Sequence, residues 1–204
     1  MATRSDLWWP DRMHVDPKST LIDHLQECRD ALVGKVEGLS ERDARLPRTP
    51  TGTNLLGIVK HALNVEAVYF GPTFEREFPG QGLVTPAEYD ADPQSDWFAT
   101  ESESLDGVLA LYREVQTFAD ETISGLDLDA VGRVAHWRGQ EVTLHQILVH
   151  TLGDLQRHAG HADILREMVD GSVGMREAGD NVPQDVDWPS YVTKLVALAD
   201  RFVP

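Results

Sequence analysis

Residues 144–161, LHQILVHTLGDLQRHAGH, read as a strongly apolar helix crossed by a single polar stripe. At about 100° per residue, His150, Asp154, His158 and His161 fall within roughly 80° of one another, on the same side as Leu165. A stripe of imidazoles and a carboxylate that faces packed protein needs partners, because buried polar groups without them are destabilising. The fold must therefore set other helices against this one and supply those partners from them.

The rest of the pattern provides such helices. Leu21, Ile22, Leu25, Cys28, Leu32 and Val36 repeat at helical spacing from Ser19, the expected N-cap, to Gly38, the expected stop. Ser40 to Asp43 reads as a short helical turn. Thr53 is the expected cap of a second long helix carrying Leu55, Leu56, Val59, His61, Leu63, Glu66 and Tyr69, ending near Gly71. Residues 79–102 form a connection rich in Pro, Gly and Asp; connections this long are often functional. A third helix is predicted from about Ser104 to Ile123, stopping at Gly125. Gly132–Gln140 is a turn or hairpin carrying His136 and Trp137, and the fourth helix runs from its cap, Thr143, to about Val169. A C-terminal helix follows from about Pro189 to Arg201. The expectation is an all-α, single-domain chain over 1–204: a four-helix bundle with long crossovers and an additional C-terminal helix.

Composition narrows the function. A formal net charge of −16 disfavours phosphate backbones and anionic membranes, so neither nucleic acid nor membrane is expected as a partner. No run of ~18 apolar residues exists to span a bilayer. The first ten residues lack the apolar core of a signal peptide, and the lone Cys28 suits a reducing compartment, so a cytoplasmic protein is expected. Cys28 shares the apolar face of its helix with Leu25 and Leu32 and reads as a buried structural thiol. There is no phosphate-binding glycine loop, dinucleotide fingerprint or serine-nucleophile motif.

What remains is the stripe. Asp154 and His158, at i and i+4, can offer two ligands to a divalent cation, and bundles build such sites from facing helices. His61, mid-helix between Val59 and Leu63, is the best third ligand. A hydrogen-bonded His–Asp pair inside the bundle explains the same spacing without a metal. His161 either orients His158, Asp154 or a ligand, or is a surface residue beside Asp163. His150 lies toward the helix start and is a weak ligand. Arg157 is placed to meet a substrate carboxylate, or to pair with Asp154 or a nearby acid. Glu66 is expected to pair with an Arg or His across the bundle. Tyr69, Trp97 and Trp137 either line a pocket near the bundle opening or pack in the core. His14, His24, His136 and His145 read as surface or loop residues.

Two segments also carry a family resemblance. Residues 51–61, TGTNLLGIVKH, with Glu66 and Phe70-Gly71 behind them, resemble the second-helix signature of the DinB-like superfamily. Residues 142–166 are similar to its fourth-helix signature, and nearest to the branch called mini-circle proteins, related to mycothiol-dependent maleylpyruvate isomerase. The resemblance covers nearly the whole chain. It implies a four-helix bundle with a divalent metal on His61, Asp154 and His158. Zinc is the first choice, with nickel, manganese and iron as alternatives, since two His and a carboxylate also make an iron triad. Many members have His at the position of Asp154; the isomerase-like branch has a carboxylate, and Asp is shorter than Glu. The implied activity is transfer of a low-molecular-weight thiol, mycothiol, to a small electrophile, with Arg157 and His161 as catalytic candidates. The alternatives are a hydrolase with metal-activated water, and a non-catalytic metal- or thiol-binding stress or detoxification protein. An iron oxygenase is less well matched, because such relatives carry a further domain. A homodimer is compatible with the resemblance.

Overall fold

Every amphipathic segment forms a helix in the computed structural model, which describes residues 16–175 and 179–202. The reading of the first ten residues as lacking a signal-peptide core, and the reading of His14, lie outside those residues. Helix α1 spans Pro17–Gly34, α2 Glu41–Arg45, α3 Leu55–Phe70, α4 Pro86–Ala91, α5 Leu105–Gly125, α6 Leu144–Asp170 and α7 Trp188–Ala199. Strands β1, Val131–Val134, and β2, Gln140–Thr143, pair antiparallel, with a 3-10 turn at Ala135–Trp137 between them. The hairpin alternative for residues 132–140 is the one adopted.

Three helix boundaries differ from the sequence expectation. Asp16, not Ser19, caps α1: its carboxylate accepts from the Ser19 N–H and hydroxyl, both at 2.8 Å, and Pro17 fits the first turn, where its missing N–H is not needed. The helix also ends at Gly34, and Gly38 instead serves a later turn with φ +77°. Asn54, not Thr53, caps α3, accepting from the Gly57 N–H at 2.7 Å while its own amide donates to Gly52 and Trp97 carbonyls. A threonine hydroxyl could not make all three bonds. The long connection also holds α4, set by Pro86 and a reciprocal capping box between Thr85 and Glu88.

α3 is the central helix. It packs on α5 and α6, and α1 packs on α6 and touches α3. Thirteen residues of α3 are buried, including the polar Lys60, Asn64 and Glu66, as befits a helix surrounded by others. Leu25, Leu32, Leu56, Ile58, Leu63, Phe70, Ile147 and Leu155 form the core between them. Glu66, 0 % exposed, meets the Arg partner expected for it: Arg29 of α1 donates through Nε and Nη2 at 2.6 to 3.2 Å, and the Tyr112 hydroxyl donates at 2.8 Å. The remaining nitrogen of Arg29, Nη1, donates to Gln26 at 3.1 Å and to Asp120 of α5 at 2.7 Å, so one ionic knot ties three helices. Cys28 is buried as expected, and burial first, then the charge of Glu27, pushes its thiol up to about 11. α7 forms where a C-terminal helix was expected, and all of its residues are exposed. Among the described residues no helix is long and apolar enough to cross a membrane.

Candidate metal centre

The seam between α3 and α6 brings together the three residues the spacing singled out. His61 comes from α3, and Asp154 and His158 come from successive turns of α6. One ligand atom from each lies within 4.8 Å of the other two. His61 Nε2 is 3.6 Å from Asp154 Oδ2, and His158 Nε2 is 3.6 Å from Asp154 Oδ1. These separations exceed a hydrogen bond. The carboxylate thus sits between two imidazole nitrogens without bonding either, and Asp154 Oδ2 is a buried atom with no hydrogen-bond partner. A buried, unsatisfied carboxylate oxygen is costly unless something cationic joins it. The donor set, two imidazole nitrogens and a carboxylate oxygen, is one that zinc and similar divalent ions accept. The residues therefore fit a divalent cation.

Titration behaviour follows from the same geometry. Burial opposes the charged form of His61, but Asp154 and Asp96 outweigh it and raise its pKa. Burial would raise Asp154 too, yet His158 and His61 hold it well below the usual carboxylate range.

A part of the site that sequence reasoning missed comes from the loop before α5. Asp96, 4 % exposed, approaches His61 Nδ1 at 2.7 Å through Oδ2. With its proton on Nδ1, His61 donates to Asp96 and keeps the Nε2 lone pair for a cation; carboxylates fix metal-binding imidazoles in this way. Trp97 stacks on the same ring, centroids 3.9 Å apart and planes 16° from parallel, and lies edge-on to His158 at 5.1 Å. Of the two readings for Trp97, it lines the site.

Several contacts pin this loop. The Trp97 carbonyl accepts from Asn54, and Lys60 Nζ donates to the Phe98 carbonyl at 3.0 Å and to Glu103 at 2.9 Å. Arg45 donates to the carbonyls of Ala99, Thr100 and Glu103. Gly57 makes room: a Cβ there would lie 1.9 Å from the Trp97 carbonyl oxygen. Asp96 also faces Tyr89 of α4; burial, then the charge of Asp96 and a hydrogen bond to it, raises the Tyr89 hydroxyl well above its ordinary range.

The remaining candidates divide. His161 is exposed, with Nδ1 3.4 Å from His158 Nδ1, so it neighbours a ligand residue. Arg157 is exposed, and among the described residues its side chain makes no hydrogen bond or ion pair, so the alternative of pairing with Asp154 or a nearby acid is not the one adopted. His150 is not in the triad; its Nε2 lies 3.1 Å from the Tyr69 hydroxyl, which also meets His136 Nε2 at 3.2 Å. His24 is exposed beside Glu27, and His145 is exposed, as read.

Residues 20–171 match the family model described as mycothiol-S-transferase. That span runs from the first turn of α1 to the end of α6 and includes every residue of the candidate centre. No curated protein matches the chain.

Proposed function

The chain belongs to the mycothiol-S-transferase family, a branch of the DinB-like superfamily, and on that premise we propose that it transfers a low-molecular-weight thiol, mycothiol, to a small electrophile at a divalent metal centre. The observation that carries the reading is the convergence of His61, Asp154 and His158 on one point, with Asp154 Oδ2 buried and without a hydrogen bond. A divalent cation there would bind a thiol sulfur and favour loss of its proton at neutral pH.

The chain's own residues do the rest. His61 Nε2, Asp154 and His158 would hold the cation, with Asp96 fixing the His61 tautomer and Trp97 covering the ring from water. Three protein ligands leave a position open for the thiol. His161, exposed and beside His158, takes the proton that leaves the thiol. The sulfur electron pair would then form the carbon–sulfur bond, while the electrophile releases its leaving group or, in an addition, gains the proton that His161 took. Arg157, exposed and unpaired among the described residues, would meet an anionic group on the electrophile. No protein nucleophile is required, which agrees with a single thiol that is buried and raised. Zinc is the proposed ion.

The test is conjugation of mycothiol to a panel of fluorogenic and alkylating electrophiles. Turnover should disappear with a chelator and return with zinc. His158→Ala and Asp154→Asn should lose both zinc and turnover while keeping their helical circular dichroism. Turnover that survives chelation and both substitutions overturns the metal-dependent reading. Metal binding without turnover of any thiol–electrophile pair leaves a metal-binding protein in its place.

A further inference from the structure

Four residues beside the centre take no part in the chemistry above: Tyr69, His136, Trp137 and His150. Tyr69 projects from the last turns of α3, His150 from α6 one turn before Asp154, and His136 and Trp137 from the turn of the hairpin. Along the helix axes the cluster is displaced from the metal ligands by four residues on α6 and eight on α3, about 6 to 12 Å. Tyr69 is still close enough to feel the charge of Asp154. The cluster and the centre therefore share one seam.

Its hydrogen bonding is asymmetric by necessity. Two imidazole Nε2 atoms meet one phenol, at 3.1 and 3.2 Å. The phenol has one proton to donate, so one Nε2 accepts from it and the other carries its own proton and donates to it. The first ring then bears its proton on Nδ1 and the second has a bare Nδ1. Neither Nδ1 has a hydrogen-bond partner among the described residues, and both His136 and His150 are exposed. The cluster thus offers solvent one N–H donor and one acceptor nitrogen. Trp137 is half-buried between them, with His150 edge-on at 4.8 Å and no ring stacked face to face on it. Burial and the neighbouring His150 disfavour the charged form of His136, so this imidazole favours a neutral ligand over an anion.

A paired donor and acceptor beside an aromatic ring suits a neutral, hydroxyl-bearing ring: hydroxyls both donate and accept, and the C–H face of such a ring packs on indole. We propose that Tyr69, His136, Trp137 and His150 form the subsite for the hydroxyl-rich sugar and cyclitol rings of the thiol cosubstrate, a placement that rests on the transferase reading above. The seam then orders the cosubstrate, with sulfur at the metal ligands and rings under the hairpin.

The experiment uses the full-length, zinc-loaded protein and N-acetylglucosaminyl-inositol, the ring portion of mycothiol without its thiol and with the amine acylated, hence neutral, as it is in the cosubstrate. Calorimetry should detect its binding to the parent, and Tyr69→Phe and His150→Ala should each weaken it by about tenfold with zinc content unchanged. In turnover, the same variants should raise KM for mycothiol and leave KM for N-acetylcysteine, which has no rings, where it was. Trp137→Leu should behave likewise; if it loses helicity, Tyr69→Phe, which removes one hydroxyl, decides. The subsite is overturned if the parent does not bind the N-acetylglucosaminyl-inositol, if the variants bind it as well as the parent, or if KM rises equally for both thiols. Sugar binding that the variants abolish, in a protein that conjugates no thiol, sustains the subsite and rejects the transferase reading.

Discussion

Gly57→Ala tests whether the loop that carries Asp96 is held where α3 leaves space for it. In helices the change normally stabilises, by ~1 kcal/mol. Here the new methyl carbon would lie 1.9 Å from the Trp97 carbonyl oxygen, 2.7 Å from its carbon and 2.9 Å from Asn54 Nδ2. Relief to an ordinary contact needs the backbone at Trp97 to retreat by about 1.5 Å. The obstacle is main chain and cannot swing aside as a flexible side chain would. Overpacking of this kind typically costs ~1 to 3 kcal/mol, which offsets the helix gain and leaves a net loss of up to ~2 kcal/mol.

The larger effect falls on the neighbouring residue. Asp96 adjoins Trp97, and its bond to His61 is 2.7 Å long. A retreat of about 1.5 Å takes it beyond hydrogen-bond range. Loss of a carboxylate behind a metal-binding histidine usually lowers metal affinity by about 10- to 100-fold, or ~1.4 to 2.8 kcal/mol. The assay is zinc competition against a chromophoric chelator, with thermal unfolding of the metal-free protein alongside. Asp96→Asn removes the same charge without moving the loop. Gly57→Ala should match its loss of zinc affinity and unfold at a lower temperature, whereas Asp96→Asn should change mainly the zinc affinity. A Gly57→Ala protein with parental zinc affinity and a raised unfolding temperature would show that Trp97 does not lie over α3, and the reasoning would fail.

Two further expectations concern the body of the fold. Glu66→Leu leaves the buried Arg29 guanidinium with only Asp120 and Gln26, and should destabilise by ~3 to 5 kcal/mol in urea unfolding, with much of the loss recovered in the double variant Arg29→Met/Glu66→Leu; a loss below ~1 kcal/mol contradicts a buried ionic knot. The Cys28 thiol, raised from 9.0 to about 11, stays protonated in the fold at pH values where the unfolded chain ionises. Its contribution to stability is therefore constant below about pH 9 and declines as pH rises toward 11, and Cys28→Ser should flatten that part of the urea-midpoint profile relative to the parent. A parent and variant with parallel profiles would place the thiol in contact with water.

What could be read without a structure follows from periodicity. Helical repeats place Asp154, His158 and His61 on inward faces, and a metal-like polar stripe on an apolar helix stands out because apolar packing explains everything else on it. Asp96 carries no such signal. It sits in a connection where side-chain direction follows neither a helical nor a strand period, and Trp97 beside it, though itself a pocket or core candidate, does not say which way an aspartate points. The residues that fix it in place, Asn54, Gly57, Lys60 and Arg45, are spread over α2 and the start of α3, and only their convergence on residues 97–103 gives them meaning. The misassigned cap of α3 has the same origin: Thr53 and Asn54 are both good caps locally, and Asn54 prevails because its amide also holds Trp97. Tyr69 and His150 were each visible singly, yet their shared hydrogen bond depends on how α3 faces α6 and on where the hairpin turn brings His136. Ligands carried on regular elements thus announce themselves by spacing. The groups that touch those candidate ligands and line the seam beside them come from loops and from the register between helices, where no sequence period marks them.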